Sequence, residues 1–302
     1  MPGNSHSLER IVTTVLDTHD RARQGQTGAA TGWLAQLNVE YANTDGRTHL
    51  RAKTHSGPLT IQKSLYPEGP AVCHTLILHP PSGVVENDRL DINVKLNTGS
   101  HALITMPGAS KWYRSQGCTA EQCVRIHVAA GAVLEWLPPE TIIFNHARAA
   151  LHTRVDVQAG ASYIGWEIVC LGRTASGETF KAGALRQTTE VALAGELLWN
   201  ERCHVHGGSP LLASRVGLAR APVTAVMLAA GKSAAPHLMA QCRGVKADAE
   251  SLTGTTAMPN IFIARYAGHS SEQARNYFIA LWRLLRPLFA GREAVTPRIW
   301  NT

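Results

Sequence analysis

The stretch Gly57–Val94, GPLTIQKSLYPEGPAVCHTLILHPPSGVVENDRLDINV, limits the possible folds more than any other part of the chain. Short apolar or β-branched runs, Thr60–Gln62 and Val72–His79, are separated by Tyr66-Pro67-Glu68-Gly69-Pro70 and by Pro80–Asn87, which carry turn chemistry. Proline has no N–H for a ladder, so Pro67, Pro70, Pro80 and Pro81 belong at strand ends or in loops. The segment therefore reads as strand, turn, strand, turn, strand. Polar groups crowd the strand ends: Glu68, Cys73, His74, His79, Glu86 and Asp88. A purely structural strand does not need so many potential ligands.

The same punctuation continues on both sides. Leu37, Val39 and Tyr41 fall on one face of an alternating run, with Gln36, Asn38 and Glu40 on the other. Thr44-Asp45-Gly46 joins that run to Thr48–Thr54 as a hairpin. Leu90–Leu96, Cys123–Val128, Thr153–Val157 and Ala161–Leu171 follow, divided by Gly-containing turns. Short strands at regular spacing, with no βαβ alternation and no fixed-period repeat, argue for a β-rich body. Residues 205–260 are the least periodic, with a helix expected over Lys232–Gly244. The clearest helix is late: Ser270 caps it, Gln273 takes the capping-box position, and Ala274, Tyr277, Phe278, Leu281, Trp282 and Leu285 form an apolar stripe. Arg275, Arg283 and Arg286 fall largely off that stripe, and Pro287 is expected to end the helix near Arg286. Leu8, Ile11, Val12, Val15 and Leu16 have helical spacing within an N-terminal extension, residues 1–31.

With 44% hydrophobic and 17% charged residues the chain is globular. Its net charge of +7 points to an acidic partner. The Lys and Arg residues are scattered without an aromatic-studded basic run, which favours a protein over nucleic acid. Six cysteines in 302 residues are too few for a disulfide scaffold. Neither a signal-peptide core nor a membrane-length apolar run is present, so a cytoplasmic protein without membrane contact is expected.

No nucleotide or catalytic motif is complete. Gly231-Lys232-Ser233 resembles the end of a phosphate loop, but the first glycine of that motif would fall on Val226. Cys118 and Cys123 do not have a usual zinc spacing, and no GxSxG or HExxH occurs. Cys203-His204-Val205-His206 is a metal candidate, because in an extended segment both imidazoles face one side; a polar strand end is the competing reading. His74 and His79 fall on opposite faces of one strand and cannot share an ion from that strand alone. Glu167 lies opposite Ile164, Trp166, Ile168 and Cys170; if its face is covered it must be paired, protonated or in contact with a cation. Asp88 can pair with Arg89, while Glu68 and Glu140 sit beside prolines at turns. For Ser110, Lys111 and Arg114 a partner-contact or polar-channel role competes with an ordinary solvated loop.

Beyond these residue-level readings, GPLTIQ (57–62), YPEG (66–69), Cys73-His74, HPPSG (79–83) and NDRL (87–90) stand in order with HALITMPGASKWYRS (101–115), GAVLEWLPPETIIF (131–144), GWEIVCLGRTASGETF (165–180), ALWRLLRP (280–287) and PRIWNT (297–302). Together they resemble the UreD family of urease accessory proteins, called UreH in some organisms, over residues 32–302. The chain departs from the family pattern where Ser82, Glu86, Asn87 and His146 replace glycines and Asn145 replaces an aspartate. The resemblance implies a non-enzymatic scaffold that binds the urease apoprotein, recruits UreF and through it the GTPase UreG, and passes nickel through an internal channel with no tightly bound cofactor. Glu68, His74, His79, Asp88, Ser110, Glu140 and Glu167 are then the candidate channel residues, Cys203, His204 and His206 a candidate metal group, and Lys111, Arg114 and Trp282 candidate partner contacts. The fold expected is mainly β: stacked or helical-type antiparallel or mixed sheets in one elongated body, residues 32–302, with a small number of α-helices near the C-terminus and a helical part at about 270–286. A stand-alone nickel- or zinc-binding protein is the alternative. A metal-dependent hydrolase is disfavoured, since no motif supplies three ligands and an open position.

Overall fold

The period-two runs become strands in a computed structural model, which describes residues 32–301. In chain order they are β1 (Leu34–Thr44), β2 (Arg47–Ser56), β3 (Thr60–Ile61), β4 (Cys73–Leu78), β5 (Arg89–Leu96), β6 (His101–Thr105), β7 (Ser110–Trp112), β8 (Ala120–Val128), β9 (Val133–Trp136), β10 (Thr141–Ile143), β11 (Arg148–Val157), β12 (Ser162–Leu171), β13 (Ala184–Leu193), β14 (Glu196–His206), β15 (Val223–Ala230), β16 (Leu252–Met258) and β17 (Ile261–Gly268). Three α-helices are described: α1 (Pro210–Ala213), α2 (Pro236–Gly244) and α3 (Ser271–Ala290). The helix expected from Leu8 to Leu16 lies outside the described residues.

From β4 to β13 the chain passes back and forth between two stacked sheets. The first has the order β14-β13-β11-β8-β5-β1-β2; the second runs β16-β17-β15-β12-β9-β6-β4-β3, with β10 joined to β12 and β7. The centre of the first sheet, β1, β5, β8, β11 and β13, is parallel, as is β4, β6, β9 and β12 in the second. The chain thus winds between sheets as a solenoid does, while antiparallel pairs close the margins at β1–β2, β13–β14 and β15–β17–β16. The hairpin at Asp45-Gly46 is a two-residue turn with both φ positive, 51° and 79°.

Burial follows from the layering. Strands of the first sheet alternate, as β11 does with Ala149, Leu151, Thr153, Val155 and Val157 turned inward. The central strands of the second sheet are covered on both faces, by the first sheet on one side and by helices on the other, so β12 is buried almost throughout. The helix α3 lays Ala274, Tyr277, Phe278, Leu281, Trp282, Leu285 and Phe289 on the second sheet. Each large side chain so buried contributes about 1.5–3 kcal/mol. Its N-terminus is capped as the sequence suggests, the Gln273 N–H donating to Ser270 Oγ at 3.2 Å.

Two expectations for this helix are corrected. It continues through Pro287 to Ala290 and stops at Gly291, whose φ is 69°. Phe289 lies beyond the proline and is fully buried, so packing holds the last turn in helical form. Arg286 does not lie off the stripe but is completely buried. Lys232, which mimicked a phosphate-loop lysine, donates to the Leu288 carbonyl at 2.8 Å and so satisfies the end of α3.

The positions read above as replacing glycines keep turn geometry. Ser82, Asn87 and His146 all have positive φ, 66°, 65° and 66°. Glu86 gains a role no glycine has: its Oε2 accepts from Ser115 Oγ at 3.0 Å and from the Gln116 N–H at 2.9 Å, fixing the loop after β7.

Candidate functional site

Between the sheets the inward stripes of three strands are each interrupted by polar residues at one level: Thr153 on β11, Gln187 and Thr189 on β13, and Glu167 on β12. The parallel register sets Thr153 beside Thr189, and both face Glu167 across the inter-sheet space. Thr153 Oγ1 donates to Glu167 Oε1 at 2.6 Å; Thr189 Oγ1 and Gln187 Nε2 donate to Oε2 at 2.6 and 2.7 Å. Every one of these partners is neutral.

Glu167 also lines two cavities. One, of about 300 Å³, runs between the sheets past His79, Ser110, Lys111, Gln122, Thr141, Thr153 and Gln187, with Ile77, Leu90, Ile92 and Trp136 among its apolar walls. The other, of about 40 Å³, continues from Glu167, Gln187 and Thr189 to Glu201, Cys203, Thr224 and Arg265. Glu201 Oε1 accepts from Arg265 Nη1 at 2.7 Å, and burial pushes the Cys203 thiol up. Burial pulls His79 down, against the charge of Asp88, which favours the neutral imidazole that can donate a lone pair to a cation. The result is a lane of oxygen, nitrogen and sulfur groups with Glu167 at the junction.

A second polar cluster lies on the other face of the second sheet, under α3. Glu135, fully buried on β9, accepts from Arg286 Nε at 2.9 Å, Arg286 Nη2 at 2.9 Å and Trp282 Nε1 at 2.6 Å, and lies 2.7 Å from His101 Nε2. Arg286 also binds Glu68 through two contacts of 2.8 Å, and Glu68 lies 2.7 Å from His74 Nε2. Burial alone raises Glu68, but the bonds from His74 and Arg286 outweigh it and hold the carboxyl at about 2. Glu135 is likewise lowered, burial being outweighed by His101 and Arg286. Arg286 is pulled down by burial but raised on balance by the two carboxylates. One guanidinium serves both carboxylates here and the two imidazoles complete their hydrogen bonds, so the cluster fastens the helix to the sheet.

The structure therefore divides the candidate channel residues. His79, Ser110 and Glu167 come together on the inter-sheet cavity, joined by Lys111. Glu68 and His74 are in the cluster under α3 instead. His74 and His79 do point to opposite faces. Asp88 does not pair with Arg89, which binds Asp91 at 3.0 Å; Asp88 accepts from the Trp33 and Val85 N–H groups at 2.8 and 2.9 Å and fastens the turn before β5. Glu140 is not among the cavity-lining residues. Arg114 is exposed, whereas Trp282 is fully buried and is not a surface contact in this fold. Cys203 faces inward to the small cavity, while His204 and His206 are exposed on the opposite face, so the three do not converge. Among the described residues no three His, Cys, Asp or Glu side chains are placed to hold one ion.

Sequence reasoning missed Glu135, His101, Arg286, Gln122, Thr153, Gln187, Thr189, Glu201 and Arg265. Glu135 carried a readable signal, a carboxylate inside the apolar run Ala132–Leu137. Thr153 and Thr189 carried none, since their meeting depends on strand register.

Residues 34–301 match the family described as UreD urease accessory protein. Three proteins called urease accessory protein UreD are similar over most of their length. The one from Dechloromonas aromatica (strain RCB) is 47% identical over 273 residues, covering 89% of this chain and 95% of its own. The one from Azoarcus sp. (strain BH72) is 46% identical over 274 residues, 91% of this chain and 96% of its own. That from Methylobacillus flagellatus is 43% identical over 270 residues, 89% and 95%.

Proposed function

The chain belongs to the UreD family of urease accessory proteins, and from that premise we propose that it is a non-catalytic urease maturation factor that conducts nickel along the lane between its sheets. Nickel is cargo here, not a resident cofactor. The observation that carries the reading is Glu167: a carboxylate held only by neutral donors, at the junction of two cavities. Its negative charge has no cationic partner among those donors and is available to a passing divalent ion. His79, Ser110 and Cys203 supply further ligands spread along the lane, and spread ligands suit an ion that must move on. Lys111 at the large cavity adds positive charge that opposes a long stay.

In this reading the chain works on the urease apoprotein in the cytoplasm, together with UreF and, through UreF, UreG. Support comes from the net charge of +7, suited to an acidic protein partner. Among the described residues no helix is long and apolar enough to cross a membrane.

The test is nickel content and urease activity in cells carrying the urease operon, with and without this chain. Nickel in urease and activity fall together without it, while urease protein stays abundant. Unchanged nickel and activity, with no second copy of the gene present, would overturn the proposal.

A further inference from the structure

The edge strand β14 carries ligands on both faces. Inward, Cys203 and Glu201 line the small cavity that ends on Glu167. Outward, His204 and His206 are exposed with ring centroids 4.4 Å apart and planes inclined by 50°. Two imidazoles bound cis to one ion, each at about 2.0–2.1 Å, have nitrogens about 3 Å apart, and rings at the observed spacing reach that by side-chain rotation. The strand fixes the spacing, because residues two apart share a face. As β14 is the last strand of its sheet, the remaining coordination positions stay open to water or to a donor protein.

We propose that His204 and His206 form an exposed two-imidazole capture site for a borderline divalent cation at the Glu201–Cys203 end of the inter-sheet lane. The identity of that cation as nickel rests on the proposed maturation role; the binding itself does not. Capture is a ligand exchange without redox change: two waters leave the hydrated ion and two neutral imidazole nitrogens take their places. Imidazole selects ions of the nickel, copper and zinc class over magnesium or calcium. Arg186 stands opposite His204 in the ladder, exposed on the same face, and its charge keeps the site weak. A weak site suits an ion that must be passed on.

The test is calorimetric titration of the full chain with nickel chloride in a millimolar excess of magnesium. One ion binds, and His204→Ala or His206→Ala weakens that binding by about tenfold or more, the scale on which loss of a metal-supporting group is felt. His127→Ala, which removes an isolated exposed histidine, leaves it unchanged. Arg186→Gln tightens it. All four changes are on the surface, and an unchanged thermal midpoint certifies the fold. Wild-type affinity in the double variant H204A/H206A, or no competition-resistant binding in the wild type, overturns the site. Urease activation in cells at limiting nickel separates the two proposals: binding lost with activation intact would retain the site and remove it from the maturation path.

Discussion

Glu135 and Glu167 stand on neighbouring strands of one sheet, β9 and β12, and point to opposite faces. Glu135 is sealed beneath α3 and paired with Arg286, with His101 and Trp282 completing its hydrogen bonds. Glu167 faces the inter-sheet space and receives only two hydroxyls and an amide. The difference is one of remaining capacity. A carboxylate already matched by a guanidinium has no charge to offer, and moving it costs stability. A carboxylate held in place by neutral donors is oriented but has no cation paired with it. Burial alone therefore does not separate the two carboxylates of this fold; the charge of their partners does.

The largest effect follows from breaking the matched side. Arg286→Leu leaves Glu135 and Glu68 buried without their cation, and removal of one partner of a buried pair costs about 3–5 kcal/mol. Chemical denaturation of the purified chain measures it. A loss below ~1 kcal/mol would mean that the cluster is not the fastening between helix and sheet.

Acid acts on the same cluster with a slightly smaller effect. The Glu68 carboxyl titrates at about 2 in the fold against 4.5 ordinarily, and Glu135 is also lowered. A depressed folded pKa contributes stability that is complete above the ordinary value and is lost as pH falls through the folded one. For Glu68 that amounts to about 3 kcal/mol, withdrawn between roughly pH 4.5 and 2. Thermal midpoints across this range fall less steeply in Glu68→Gln than in the wild type; parallel curves would remove Glu68 from the linkage.

The two carboxylates were unequally legible in the sequence. Glu167 stood out as a charge opposite an apolar stripe, but Glu135, equally flanked by Leu134 and Trp136, lay in a run too short to show which face was covered. Arg286 was read as off the apolar stripe, although Phe278, Trp282 and Arg286 are spaced four apart and so share a face. Strand positions and the mainly β class were readable because side-chain alternation is local. The stacked, helical-type arrangement of mixed sheets came from the family resemblance and not from strand spacing, because turns such as Asn97-Thr98-Gly99 look alike whether they form a hairpin or carry the chain across to the other sheet. For the same reason Thr153, Gln187 and Thr189 were ordinary inward positions until register brought them to one carboxylate.

On the unmatched side the expectation reverses. Glu167→Gln removes the charge and turns one acceptor oxygen into an amide donor, to which the Thr153 hydroxyl responds by accepting instead of donating, so stability changes by only about 1 kcal/mol. Urease activation at limiting nickel falls by about tenfold or more. Glu135→Gln does the opposite, lowering stability first and activation only in proportion to folded protein. If both variants lose activation in step with stability, the proposed distinction between the carboxylates fails.

The smallest effect sharpens the independence of the two faces. Ser270→Ala removes the hydroxyl that caps α3 while leaving every charge of both sites in place. Loss of such a cap costs about 1 kcal/mol. Because α3 packs on the face of the second sheet away from Glu167, the loosened helix lowers the denaturation midpoint without altering activation per folded molecule. Activation that drops as far as in Glu167→Gln, at this small stability cost, would show that the lane responds to the helix and that the sheet couples its two faces.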